Sequence, residues 1–202
     1  VANSAAQTGF EDIDVSAYTQ TGSNGADITG STGANVIVGT GYADTIRGGE
    51  GNDVISGGVG ADAIDVGTGA DTVSLVSASD SFLSAVTLGT TDMSGTIQVI
   101  TGMGDGDKVV FTTASMTAAT GVSLDTAVQV TTGSSAVDDI GLIRGDYASG
   151  VFTAGTNASD NDYLVSYLEG TGTDAISHVV LMDIVGTVTS DTLTNGIELN
   201  VA

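Results

Sequence analysis

The sequence predicts an all-β chain in which a parallel β-roll continues into an antiparallel β-sandwich-like cap, and three observations predict it. Residues 39–75 carry Asp44, Asp53, Asp62 and Asp71 at an unbroken period of nine, each preceded by a glycine-bearing loop. Two residues after each comes an apolar residue: Ile46, Ile55, Ile64 and Val73. The composition favours short strands and turns over helices, being rich in Gly, Thr, Ala and Ser with 4% aromatic residues and no proline. Beyond residue 96, short apolar runs alternate with polar turns.

The nine-residue spacing dictates the roll. A six-residue loop needs glycine to turn sharply and aim its carbonyl oxygens inward, and the triplet left over is long enough only for a short strand with its central apolar residue facing the core. Two such units close one coil of 18 residues. The apolar residues then stack in two files, Ile37/Ile55/Val73 on one sheet and Ile28/Ile46/Ile64 on the other. Loops 18 residues apart lie over each other and their carboxylates converge. Carbonyls and carboxylates from two stacked loops make a six-oxygen site of hard ligands suited to Ca²⁺, and without a cation the stacked carboxylates repel.

The loops and their period resemble the repeats of the RTX (repeats-in-toxin) family of secreted bacterial proteins, over residues 22–75. The resemblance implies a ligand set in which the earlier loop of a pair gives two carbonyls and its Asp, and the later loop two carbonyls and its Asp. Gly49, Gly51 and Asp53 would meet Val66, Thr68 and Asp71, and Thr40, Tyr42 and Asp44 would meet Gly57, Val59 and Asp62. One turn lower, Ser31, Gly33 and Asn35 would meet Gly48, Glu50 and Asp53. In a fourth pairing Ser23, Gly25 and Asp27 would meet Gly39, Gly41 and Asp44, offset by 17 residues rather than 18. Asn35 stands where an Asp is expected, Tyr42 where a glycine is, and Val66 replaces a first-position glycine.

In order along the chain, residues 1–21 hold one strand around FEDIDVSAY that caps the open end of the roll, residues 22–75 form the roll, and residues 76–202 form the cap. Within the cap, Ser79–Val86 and Ser115–Thr120 read as short helical turns. IQVITGMGDGDKVVF (97–111) reads strand, turn, strand, with Ile97, Val99 and Thr101 alternating inward. It is similar to the segment that closes the roll in RTX proteins; Asp105 and Asp107 are either further cation ligands or ordinary acids of a glycine turn. Further strands are expected at Leu124–Val130, Asp139–Arg144, Tyr163–Leu168, His178–Val185 and Ile197–Val201. Tyr163–Ile184 resembles the closing hairpin of RTX C-terminal modules, turning at Gly170–Thr173. The ASGVFTAGTNASDND stretch between strands reads as an exposed polar loop. Its Asp160 and Asp162 are either cation ligands or solvated acids. The C-terminal tail resembles the uncleaved secretion signal of the family.

With 25 acidic and 3 basic residues the net charge is −22, so nucleic acid and anionic membranes are poor partners and cations are good ones. No stretch has the length and apolarity of a membrane span. Cysteine is absent, which removes disulfide and thiol chemistry and leaves a bound cation as the available staple. The only histidine, His178, adjoins an apolar run; no G-x-S-x-G elbow or H-E-x-x-H zinc motif occurs. No catalytic activity is expected. The resemblance implies secretion through a type I channel to the cell exterior, as the C-terminal part of a longer protein. The acidic, cysteine-free, Thr/Ala/Gly/Ser-rich composition looks most like that of a surface-layer protein assembling with calcium, through self-association or with other surface components. The tail of a secreted protease or lipase and the end module of an adhesin are the alternatives.

Overall fold

In the computed structural model the described residues are 11–18, 24–75, 97–112, 122–124, 140–154, 161–168, 176–181, 183–186, 188–193 and 196–202. Among them every regular element is a β-strand. The first seven are β1 (Asp12–Asp14), β2 (Asp27–Thr29), β3 (Val36–Val38), β4 (Thr45–Arg47), β5 (Val54–Ser56), β6 (Ala63–Asp65) and β7 (Thr72–Leu75). Most are three residues long because only three residues separate successive glycine loops. They stack in parallel with partners one coil apart, so like lies on like: Ile28, Ile46 and Ile64 in one sheet, Ile37, Ile55 and Val73 in the other. All six are buried, each stabilising the fold by roughly 1.5–3 kcal/mol relative to exposure. β1 pairs in parallel with β3 and sets Ile13 on Ile37.

The coiling does not stop at Leu75. β8 (Gln98–Thr101) stacks in parallel on β6 and β9 (Lys108–Thr112) on β7, aligning Ile100 with Ile64 and Val109 with Val73. Both steps are 36 residues, two coil lengths (100 − 64 and 109 − 73). Residues 97–112 are therefore a coil of the roll and not an antiparallel hairpin; Ile97 is buried as expected, but within β8 the alternation is out by one. Ile100 is buried and aligned on Ile64, while Val99 and Thr101 are half-buried. The cause is tertiary, since β8 is fixed in register on β6 and the residue over Ile64 must face the core.

The remaining strands are β10 (Val122–Leu124), β11 (Ile140–Ala148), β12 (Val151–Ala154), β13 (Asp162–Leu168), β14 (Ile176–Leu181), β15 (Val188–Leu193) and β16 (Gly196–Val201). Each sheet of the roll runs on into them. One sheet has the order β1-β3-β5-β7-β9-β16-β15, the other β10-β11-β13-β14-β8-β6-β4-β2 with β12 beside β11. The junctions are β14 on β8 in parallel and β16 on β9 antiparallel. One apolar core passes through both parts, from Ile28 to Val201, and includes Leu142, Val165, Leu181 and Leu199.

β13 and β14 pair antiparallel as a hairpin should, but they do not expose free edges. β13 lies between β11 and β14, and β14 between β13 and β8. Within the stretch read as an exposed polar loop, Val151–Ala154 instead forms β12, antiparallel to β11, with Phe152 fully buried; an aromatic flanked by Val and Thr outweighs its polar surroundings, and residues 155–160 lie outside the described residues. The two expected helical turns, residues 125–130, the Gly170–Thr173 turn and Asp160 lie outside the described residues.

Candidate metal centre

Four loops of the roll end on an aspartate, at 44, 53, 62 and 71, and the in-register strands bring these aspartates into columns. The backbone N–H of Asp44 donates to Oδ1 of Asp62 at 2.8 Å, that of Asp53 to Oδ1 of Asp71 at 2.8 Å, and that of Asn35 to Oδ1 of Asp53 at 2.8 Å. The Asp71 N–H donates to Oδ1 of Asp107 at 2.7 Å. One column is thus Asn35, Asp53, Asp71 and Asp107, and the other ends in Asp44 and Asp62. All six residues are buried, none more than 2% exposed.

The second carboxylate oxygens differ. Oδ2 of Asp44 accepts from Thr40 N–H at 2.6 Å and Oδ2 of Asp107 from Gly104 N–H at 2.7 Å. Those of Asp53 and Asp71 are buried without a hydrogen-bond partner. A buried, unpaired carboxylate oxygen is costly enough to call for a cation. Burial pushes Asp71 up to about 6 against the lowering effect of the Asp53 N–H, with the charges of Asp107 and Asp53 raising it further. Burial likewise raises Asp53, opposed by the Asn35 N–H.

The expected carbonyl ligands lie on the same stacked loops. Gly51 N–H donates to the Thr68 carbonyl at 2.8 Å, Thr68 N–H to Gly49 at 2.9 Å, and Glu50 N–H to Ser31 at 3.2 Å. Ser31, Gly49 and Thr68 therefore also tie loop to loop, and each carbonyl keeps a second lone pair. The Gly48 and Gly39 positions abut the Val66 and Gly57 carbonyls of the coil above. Val66 turns its side chain into the core, which is how it substitutes for a first-position glycine. Tyr42 is held by its N–H to Thr40 Oγ1 at 3.1 Å. Gly33, Gly41, Glu50 and Val59 are exposed at the loop tips. A cleft of about 460 Å³ opens at the Asn35 coil, lined by Glu11, Glu50, Gly49 and residues 30–33.

Two positions depart from the expected pairing. Asp27 aligns with Thr45, so Ala26 occupies the aspartate position of that coil and donates its N–H to Oδ1 of Asp44 at 2.5 Å. The Asp27 carboxylate instead makes an exposed ion pair with Arg47 at 2.7 Å. This is the structural cost of the 17-residue offset: the register follows Ile28 and leaves Asp27 one place too late. Gly25 packs against the backbone of Ala43, and Ser23 lies outside the described residues.

Asp107 joins the column from a distance in sequence. The signal for it was the G-M-G-D-G-D run 36 residues after the preceding aspartate loop. Asp105 is exposed. Asp162 is buried, with Oδ2 accepting from Tyr147 N–H at 2.7 Å and Oδ1 from Asp183 N–H at 2.8 Å, so it ties the end of β11 to the bend at Asp183. It offers no exposed carboxylate for bridging.

Among the described residues no three acidic or histidine side chains gather at one point. A cation held here would draw on carboxylates of adjacent coils and on backbone carbonyls, an all-oxygen donor set that fits the six- to eight-coordinate preference of Ca²⁺ and disfavours softer metals.

The family described as the RTX calcium-binding nonapeptide repeat (4 copies) matches residues 29–64 and, in a second register, 38–73. No curated protein matches the chain. Among solved structures, the AlgE6R3 subunit from the Azotobacter vinelandii mannuronan C5-epimerase is similar, at 22% identity and a TM-score of 0.43, covering 86% of this chain and 76% of that one. Between residues 29 and 73 the chain is thus built of RTX calcium-binding nonapeptide repeats, coiled as a parallel β-roll.

Proposed function

We propose that the chain is a calcium-dependent folding and self-assembly module of a secreted bacterial surface protein of the surface-layer kind, without catalytic activity of its own. The observation that carries this reading is the pair of buried, unpartnered Oδ2 atoms on Asp53 and Asp71, in a column whose next member is also an acid. With calcium the column is neutralised and binds coil to coil; without it, burial opposes the charge and drives the roll open. At a net charge of −22 two copies repel at neutral pH, so calcium promotes association as well as folding. In this reading low internal calcium keeps the chain unfolded for export through a type I channel, and external calcium folds it at the cell surface.

Light scattering of the chain at high concentration, from chelator to several millimolar calcium, tests the assembly half. Growth in particle size with calcium is expected. A particle that stays monomeric throughout contradicts it.

A further inference from the structure

We propose that two copies of this chain pack face to face through the outer surface of β3, β5, β7 and β9, related by a two-fold axis parallel to the strands. The inference rests on the self-association reading above and names its surface. On these strands Ile37, Ile55, Val73 and Val109 are buried. Strand alternation therefore turns Val36, Val54, Thr72 and Lys108 outward in one row. A second outward row holds Val38, Ser56, Ser74 and Val110.

No acid occurs among these eight positions, in a chain with 25 acidic residues. Val36 and Val54 are 45% and 43% exposed. This is where two copies of so acidic a protein can approach without repulsion. Charges flank both rows, since Asp14 pairs with Val38 and Glu198 with Val110 at the two ends of the second, but the only cation stands in the first. Asp12 of β1 pairs with Val36 at one end, and Lys108 stands at the other, with Glu198 of β16 at 3.4 Å.

That arrangement selects one orientation. A copy rotated about an axis along β5 lays its β9 over β1 of the first and its β1 over β9. Lys108 of each copy then faces Asp12 of the other, the two Val54 side chains meet at the axis, and Val36 covers Thr72. Rotation about an axis across the strands would reverse them and exchange the two rows, setting Asp12 of each copy on Asp14 of the other, which repels, and leaving Lys108 over Val110. Aligned sheets packed about 10 Å apart suit this contact, and a two-fold interface requires such self-complementarity.

Sedimentation equilibrium of the full chain in millimolar calcium tests it, with circular dichroism in calcium to verify folding. The wild type is expected to dimerise, and Val54→Asp to be monomeric at concentrations where the wild type is not. Val185→Asp, at an apolar residue 73% exposed elsewhere, should dimerise as the wild type does. Lys108→Glu should weaken the dimer, and adding Asp12→Lys to it should restore the dimer; this pair decides the matter if Val54→Asp fails to fold. A folded Val54→Asp that associates like the wild type overturns this surface while leaving self-association standing. A wild type that stays monomeric in calcium overturns both and leaves the face to a different surface partner.

Discussion

The backbone N–H of Asp53 is bonded to Oδ1 of Asp71 at 2.8 Å, while Oδ2 of Asp71 is buried with no partner. One carboxylate thus performs two tasks. It holds the coil beneath it in register, and it leaves one buried oxygen available to a cation. Because the column repeats this relation at Asn35/Asp53, and the same N–H to Oδ1 bond at Asp71/Asp107, losing a cation at one level should weaken the levels on either side.

Asp71→Asn should therefore have opposite effects with and without calcium. The amide oxygen can still accept the Asp53 N–H, but a charge is gone. In calcium the melting temperature should fall by the equivalent of about 1–3 kcal/mol, and in chelator the same substitution should raise it, because a buried like charge has been removed. Asp27→Asn, which breaks only the exposed pair with Arg47, should change either melt by less than about 1 kcal/mol. Paired thermal melts of the two variants measure the difference.

Acidification should also act in opposite directions. The carboxyl of Asp71 is raised from 3.8 to about 6 in the folded chain, so between these values the folded state holds more protons than the unfolded one. Metal-free stability is then greatest at the acid end of that window and is lost as pH rises through about 6. Calcium requires the ionised form, so its affinity should rise over the same interval. Urea midpoints in chelator at pH 5 and pH 7, beside calcium titrations at both, read the two slopes.

Glycines of the loops should divide by position. A Cβ on Gly48 would lie 2.6 Å from Asp53 Oδ2 and collide with the Val66 carbonyl, whereas one on Gly41 meets nothing within 4 Å. Gly48→Ala should cost more than about 3 kcal/mol and abolish calcium binding at that level, with Gly41→Ala near neutral. Chemical denaturation in calcium separates them.

Asp107→Ala should loosen the roll despite lying beyond the repeats. It leaves the Asp71 and Gly104 N–H groups without their acceptors, at a cost of about 1–3 kcal/mol each. Hydrogen exchange at Asp71 and Gly104 should rise first, ahead of exchange at Asp44.

The coils were legible where the period was intact. Ile37, Ile55 and Val73 occupy one stack and Ile28, Ile46 and Ile64 the other, as their 18-residue spacing requires. Legibility failed where sequence distance and spatial stacking part company. The 76–96 stretch interrupts the period, so the coil carrying Ile100, Asp107 and Val109 looked like a local hairpin, although its offset is a whole number of coils. At the other end Asp27 looked like a ligand because it precedes Ile28, yet one missing residue shifts it out of the column and Ala26 in. The cap was read by apolar runs, which located β11, β13, β14 and β16. Those runs contain nothing that specifies the pairing of β14 with β8, a contact between segments far apart in the chain.

Far-ultraviolet circular dichroism of the full chain at neutral pH, in chelator and then with calcium restored to millimolar levels, tests the dependence of the roll on calcium most directly. The predicted result is loss of most of the β-signal in chelator and its recovery on calcium addition, with magnesium failing to substitute because its octahedral shell is too small and rigid for these carbonyl-rich loops. A β-signal that is the same with and without calcium would contradict the account, since it would mean that the buried carboxylates of Asp53 and Asp71 need no cation.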